Sequence, residues 1–192
     1  MPLVIKGSSS GQVTVDVPAA AGTNTLTFPA ATGNIITNKT AGTIIQIVNT
    51  QTGAVATGTT TMPQDDTIPQ NTEGDQYMTL AITPTNSSNK LKIDVVWHGS
   101  NGTASGIMLA ALFQDSTANA LAAGSAGSTE AANDMKDIVF SHFMTAGTTS
   151  ETTFKVRAGF NASGTTTFNG AGSGRRLGGV FASSITITEI AV

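Results

Sequence analysis

The stretch that most constrains this chain is its last, Gly178 to Val192, reading GGVFASSITITEIAV. Ile185 and Ile187 alternate with Thr186 and Thr188, the period-two pattern of a half-buried strand. The phase then slips, because Ile190 and Val192 fall on the face opposite Ile185 and Ile187. Either a bulge sits near Glu189 or the end of the strand is buried on both faces. A β-branched, nearly charge-free segment of this kind takes its place in a sheet built by earlier residues.

Those earlier residues read as a series of short strands. The cleanest is Lys90–His98, with Leu91, Ile93, Val95 and Trp97 inward and Lys90, Lys92, Asp94 and His98 outward. Gln76–Thr83 sets Met78, Leu80 and Ile82 against Tyr77, Thr79 and Ala81. Thr153–Phe160 sets Phe154, Val156, Ala158 and Phe160 against Lys155 and Arg157. Ile44–Val48 and the Thr-rich Ala54–Met62 are further candidates. Gln64–Gly74 reads as loop, as does the Gly- and Ala-rich stretch from Ala118 to Asn133, and Asn161–Gly174 reads as a loop or hairpin around Phe168. Ile107–Phe113 and Ile138–Met144 are apolar on both faces.

Eight or more short strands with no convincing helix predict an all-β fold, an antiparallel β-sandwich or jelly roll, over residues 40–192. In a lone sandwich the two-sided strands have no obvious cause. They imply a homo-oligomer in which the second face packs on a neighbour. Phe140, His142, Met144, Ile190 and Val192 are the residues expected at that interface.

Residues 1–39 read as an extended N-terminal arm. Leu3, Val4 and Ile5 form an apolar cluster, Val13, Val15 and Val17 alternate with polar residues up to Pro18, and Leu26 and Phe28 do the same up to Pro29. Val17-Pro18-Ala19-Ala20 matches Phe28-Pro29-Ala30-Ala31, but two copies are too few for a solenoid. Short strands closed by proline build no core of their own. The arm is therefore either a flexible leader or a segment that docks on sister chains or another surface, with Leu3, Val4, Ile5, Val13, Val15, Val17, Leu26 and Phe28 as the anchoring residues.

Composition excludes several classes of function. Charged residues make up 11% of the chain against roughly 25% in ordinary soluble proteins. Such a surface costs little to desolvate and suits a protein held in an assembly. The net charge of −3 leaves no electrostatic footprint for nucleic acid. With no cysteine there are no disulfides, thiolate metal sites or thiol nucleophiles. No apolar run approaches the length of a membrane span, and MPLVIKGSSSGQV lacks the apolar core of a secretory signal, so the expected place of synthesis is a cytoplasm without membrane insertion.

No motif points to chemistry. His142 shares a frame with Ile138, Phe140 and Met144 and reads as a core or interface histidine, with a subunit-bridging metal ligand as the sharper alternative; His98 reads as a surface residue. Asp65 and Asp66, with Glu73 and Asp75 nearby, lack the spacing of a calcium loop and read as a solvated acidic loop. Their use as paired carboxylates on a glycosidic bond would need a separation the sequence does not set. Gly170 to Gly174 before Arg175 and Arg176 lacks the following helix and Lys-Ser/Thr of a phosphate loop. No catalytic residue, cofactor or metal is expected, and the chain is not expected to be an enzyme.

An ordered series of segments carries a resemblance. Thr43-Ile-Ile-Gln-Ile-Val48, Leu80-Ala-Ile-Thr-Pro84, Asn89-Lys-Leu-Lys-Ile93, Leu112-Phe-Gln-Asp-Ser-Thr117, Thr148 to Val156 and Ser184 to Ile190 together resemble a domain at the C-terminal ends of tailed-phage tail fibres and in head-surface proteins. The arm's VPAAAGTNTLTFPAATG is similar to leader segments of marine and cyanobacterial phage structural proteins. The resemblance implies a trimeric jelly roll with the outline of the tumour necrosis factor and C1q heads. It implies a capsid cement or decoration protein on the outer head surface of the virion, made in the host cytoplasm. Its partners would be two sister chains, the major capsid protein and a host-surface polysaccharide or protein. The alternative it implies is the receptor-binding tip of a tail fibre or tailspike. A polysaccharide depolymerase is the remaining rival.

Overall fold

The computed structural model describes residues 3–6, 12–15 and 41–192 of the chain. The chain separates into two compact units, residues 1–35 and 36–192. In the first unit β1 (Leu3–Lys6) and β2 (Gln12–Val15) pair antiparallel, with Leu3 opposite Val15 and Ile5 opposite Val13. The anchoring residues Val17, Leu26 and Phe28, the proline-closed repeat and the rest of the 1–39 arm lie outside the described residues.

The second unit is an antiparallel β-sandwich. Its strands are β3 (Ile44–Thr52), β4 (Ala56–Gly58), β5 (Asp75–Ile82), β6 (Lys90–Asn101), β7 (Met108–Gln114), β8 (Ala122–Ser125), β9 (Met135–Thr145), β10 (Thr152–Phe160), β11 (Thr166–Phe168), β12 (Gly170–Ala171), β13 (Gly174–Arg175) and β14 (Ser183–Ile190). The first sheet runs β5-β10-β7-β8; the second runs β3-β14-β6, with β9 on the far edge of β6. Strands distant in sequence are thus neighbours in space, the interleaved order of a jelly roll. Among the described residues the only helix is a short 3-10 turn at Leu177–Gly179.

The second sheet is organised on β6, the longest strand. One edge of β6 pairs with β9 along its length, from Lys90 opposite Thr145 to Ser100 opposite Met135. The other edge is shared end to end by β14, which covers Lys90 to Val96, and by β11, which covers Gly99 to Asn101. Leu91, Ile93, Val95 and Trp97 are fully buried between the sheets, as their alternation requires. They pack against Ile185 and Ile187 of β14 and Phe154, Val156 and Ala158 of β10.

The slip of phase in the terminal strand has a definite origin. Alternation along β14 is unbroken, and Glu189 occupies the inward position after Ile185 and Ile187. The irregularity lies in the partner: Glu189 stands opposite Gln46 and Ile190 opposite Ile44, so Ile45 is the extra residue of a bulge in β3. Glu189 is fully enclosed. Its oxygens accept hydrogen bonds from Gln46 Nε2 at 2.6 Å, the Thr85 amide and hydroxyl each at 2.8 Å, and Asn89 Nδ2 at 2.6 Å. Burial pushes its pKa up, but the bonds from Asn89, Gln46 and Thr85 together outweigh burial and hold it below the usual carboxylate range.

Two-sided burial of β7 is produced by the chain itself. Met108, Ala110 and Leu112 face the inter-sheet core, whereas Leu109, Ala111 and Phe113 pack with Met62 in a second cluster on the sheet's outer side. The segment 59–74 crosses that side as a strap. The Met62 amide donates to the Phe160 carbonyl at 3.0 Å, and Arg157 donates from Nε to the Glu73 carbonyl and from Nη2 to the Gly74 carbonyl. This corrects the inference of an oligomer from Ile107–Phe113, because no neighbour is needed to cover that strand. It also explains why the candidate strand Ala54–Met62 is reduced to β4: from Thr60 on, its backbone serves the strap. Gly159 lies directly beneath, where a Cβ would stand 2.7 Å from the Thr60 carbonyl oxygen.

Two further expectations change. The supposed loop 118–133 contains β8, an edge strand paired to β7, whose Gly124 permits close approach: a Cβ there would meet Ile138 and Phe140 of β9 at about 3 Å. Tyr77 faces the core rather than solvent. The β5–β10 register shifts so that Val156 is opposite Met78 and Arg157 opposite Gln76, leaving Tyr77 as the bulged residue. It stacks on Phe168 at 5.0 Å and meets the edge of Trp97.

Two predictions follow from these contacts. The depressed pKa of Glu189 means that its stabilising contribution is complete above the unfolded-state value near 4.5 and is lost as pH falls through the lower folded-state value. Glu189→Gln should cost about 2–3 kcal/mol at pH 7 in chemical denaturation, with a smaller deficit as the pH falls below 4. Gly159→Ala should cost about 1–3 kcal/mol by displacing the strap and should speed proteolysis within residues 59–74.

Candidate functional site: the open face of the second sheet

In the first sheet the strap covers the outer side of β7; among the described residues no such segment lies over the outward face of the second. The outward positions of the second sheet form rows across four strands. Ile47, Thr188, Lys92 and Phe143 make one row, Asn49, Thr186, Asp94 and Ser141 the next, and Gln51, Ser184, Val96 and Val139 a third. Val139 is 68% exposed, Phe143 59% and Ile47 58%. Apolar side chains held in register on a sheet and open to solvent form a surface suited to a partner.

Charge on this face is internally paired. Lys92 Nζ lies 2.7 Å from Asp94 Oδ2, and the Ser141 hydroxyl donates to Asp94 Oδ1 at 2.6 Å. Partial burial raises the Asp94 pKa, but the bonds from Lys92 and Ser141 outweigh it, so the carboxylate sits below its ordinary value. At the end of the face, Asp137 lies 2.5 Å from His98 Nδ1, and the His98 ring packs on Phe181 with centroids 4.6 Å apart. His98 is thus outward as its sequence position implied, though sheltered. A face whose ions are already matched can be covered with little loss of hydration beyond the pairs themselves.

The residues expected at an oligomer interface divide between the two sides of the sheet. Phe140, His142 and Met144 are on the inward face of β9, opposite Val95, Ile93 and Leu91, and are half-buried. Their odd-numbered neighbours Val139 and Phe143 are the ones presented to solvent. Ile190 is half-buried on the outward face and Val192 is exposed beyond the strand. Sequence alternation did separate the two sets, but with both apolar it carried no sign for which faced in.

The other candidates do not converge. Asp65 Oδ1 accepts from the amide and hydroxyl of Thr67, and these bonds lower its pKa. Glu73 caps the Gln70 amide, and Asp75 holds the amide and hydroxyl of Thr60. These carboxylates tie down the strap, and among the described residues no group of three or more His, Asp or Glu side chains is arranged to hold a metal. Trp97 and Tyr77 lie in the core, where burial raises the Tyr77 pKa and leaves its hydroxyl and the Trp97 indole nitrogen without partners. Among the described residues no helix is long and apolar enough to cross a membrane.

No protein-family model matches the sequence, and no curated protein does. Solved structures give distant likenesses. The Eiger TNF of S. frugiperda aligns over 76% of this chain and 93% of its own with 9% identity and a TM-score of 0.42. Dimeric latent PorU from Porphyromonas gingivalis aligns over 79% of this chain and 14% of its own, with 10% identity and a TM-score of 0.38. The Gt strain of infectious bursal disease virus aligns over 98% and 46%, with 10% identity and a TM-score of 0.34. Likenesses at this level assign neither family nor role. The strand order establishes the jelly roll by itself.

If the open face of the second sheet is a contact surface, Val139→Asp with Phe143→Asp should abolish self-association. Multi-angle light scattering should then give a monomer mass for the variant and a larger mass for the unaltered chain. Folding should change little, within about 0.5 kcal/mol, because both side chains are exposed.

Proposed function

We propose that this chain is a structural protein of a tailed-phage virion: a homotrimeric cement or decoration protein on the outer surface of the head. The observation that carries the reading is the open second sheet, where Ile47, Val139 and Phe143 are exposed on a face whose Lys92 and Asp94 are paired with each other. In this reading sister chains bury these side chains. The phage setting rests on the ordered sequence segments that resemble head-surface and fibre-tip domains, and on the leader-like residues 17–33.

In this reading the two units divide the work. The N-terminal segment engages the major capsid protein. Its described part is a hairpin, which is marginal as an isolated pair and gains stability by adding to another surface. The sandwich projects outward and presents its loops to the surroundings, where a host polysaccharide or protein is a further partner. The role is adhesive, with no catalytic step, cofactor or metal.

Cryo-electron microscopy of intact particles tests the reading. Density for the sandwich at many symmetric head positions is the expected result; a few copies at the tail would make it a fibre tip, and absence from the particle would remove the virion role. On capsids lacking the protein, the full chain should rebind. A variant without residues 1–39 should lose that binding while keeping its oligomer mass.

A further inference from the structure

Two features at opposite ends of the sandwich have no task in the fold. The first is the loop between Asn169 and Ser183. Asn169, Gly172, Ser173, Leu177, Gly178 and Gly179 all adopt positive φ, at a real cost for Leu177 at 49°. Its base is rigid: Asn169 Nδ2 donates to the Thr52 and Ala54 carbonyls at 2.7 and 3.0 Å, and the Ser183 hydroxyl donates to Asn169 Oδ1 at 2.7 Å. Its tip presents Leu177, 67% exposed, and Val180, 85% exposed, beside exposed Arg175 and Arg176. Lys90, Lys92, Lys136, Lys155 and Arg157 each have a hydrogen-bond or ion-pair partner. Among the described residues Arg175 and Arg176 have none. Strain that exposes aliphatic side chains next to free guanidinium groups suits a preformed contact.

The second feature is an open concavity of about 420 Å³ lined by Asp65, Asp66, Ile68, Pro69 and Ala120 to Ala123. It forms where the strap meets the β7–β8 turn, joined by the Ala120 amide to the Pro69 carbonyl at 2.9 Å. Its wall is apolar and its rim carries two exposed carboxylates. Asp66 makes no ion pair among the described residues, and both bonds to the Asp65 carboxylate fall on Oδ1.

The positions of the two are fixed by the strand register. The loop packs at the end where β6 finishes, with the Ser100 hydroxyl donating to the Gly170 carbonyl. β7 starts at that same end, six residues after β6, and runs to Gln114 at the other, beside the concavity. A molecule cannot bring its own tip to its own concavity. A second copy can.

We propose that the Arg175–Val180 tip of one copy seats in the Asp65–Pro69 and Ala120–Ala123 concavity of the next, a head-to-tail contact between copies of this chain. Leu177 and Val180 would meet Ile68, Pro69 and the alanines, with the two arginines paired to the two aspartates at the rim. The match is of both polarity and charge: a convex aliphatic tip with two cations against a concave aliphatic wall with two anions. Such a contact is heterologous, so it joins copy to copy in a row unless the rotation between them closes a ring. It is small and salt-sensitive, and it gains strength where copies are already concentrated in an assembly. It uses the ends of the sandwich and so stands apart from the sheet face and from the virion reading.

The chain has no cysteine, which makes the contact directly testable. Full-length Val180→Cys and Ala123→Cys variants are mixed under mild oxidation. The expected result is a mixed disulfide dimer forming at least tenfold faster than between V180C and a Thr149→Cys control, equally exposed and in the β9–β10 loop away from the concavity. Adding R175E and R176E to the V180C chain should slow the reaction at least tenfold, and adding D65R and D66R to its A123C partner should restore it. Equal rates for the A123C and T149C partners would overturn the proposal. So would charge reversal without effect, or without rescue, in variants whose circular dichroism matches the unaltered chain.

Discussion

The strap of residues 59–74 decides which surfaces of this molecule are finished and which are open. By covering Leu109, Ala111 and Phe113 it closes the outer side of β7 without help from any neighbour. Arg157 fixes the strap by donating to two of its carbonyls, and Gly159 lets it lie directly on β10. The second sheet has no such cover among the described residues. The asymmetry matters because both sheets carry apolar residues on their outward positions. In the second, large apolar side chains reach solvent, and there any partner must bind a flat, registered face rather than a cleft.

Much of this was legible in the sequence where a strand has one wet face. Lys90–His98 and Thr153–Phe160 show their inward and outward sets by alternation, because water selects polar residues on one side. The terminal strand was legible too, although its slip of phase came from a buried glutamate and a bulge in its partner. Alternation fails where both faces are buried. At Ile107–Phe113 a partner chain and a crossing loop leave the same apolar pattern, and only the fold tells them apart. It fails again at Ile138–Met144, where an open apolar face looks in sequence like a covered one. Gly159 and Gly124 were the available signals, since a glycine inside a strand marks close approach by another segment. Tyr77 was misplaced for a simpler reason: one bulged residue shifts a strand's phase, and the sequence around it is regular.

The scarcity of charge is a property of use as much as of composition. Asp65, Glu73 and Asp75 hold the strap's turns, Asp115 receives the Thr152 hydroxyl and the Thr153 amide, and Glu189 joins β14 to β3 and to the turn before β6. Carboxylates committed to backbone amides and hydroxyls are poor general acids or bases, because protonation breaks the bonds that position them. They are good fasteners for a fold with few helices and many turns, where amides outside the ladders need acceptors. The surface is left with Thr, Ser, Asn and Gln, which hydrogen-bond without the dehydration cost of an ion.

The open sheet face and the two ends of the sandwich pose different geometric problems. In the proposed trimer the sheet face is shared around a threefold axis, and that rotation closes its contacts into a finite ring. A tip and a concavity at opposite ends do not close unless the rotation between copies returns the last to the first. If both contacts operate, the first sets the size of a unit and the second joins units along the strand direction. The tip's side of that bargain is already met in the single chain, since Leu177 holds its left-handed conformation beside two exposed arginines that have no partner among the described residues. A loop retained in that state without a partner would carry strain and exposed aliphatic surface for no gain, which is the physical reason to look for the surface it fits.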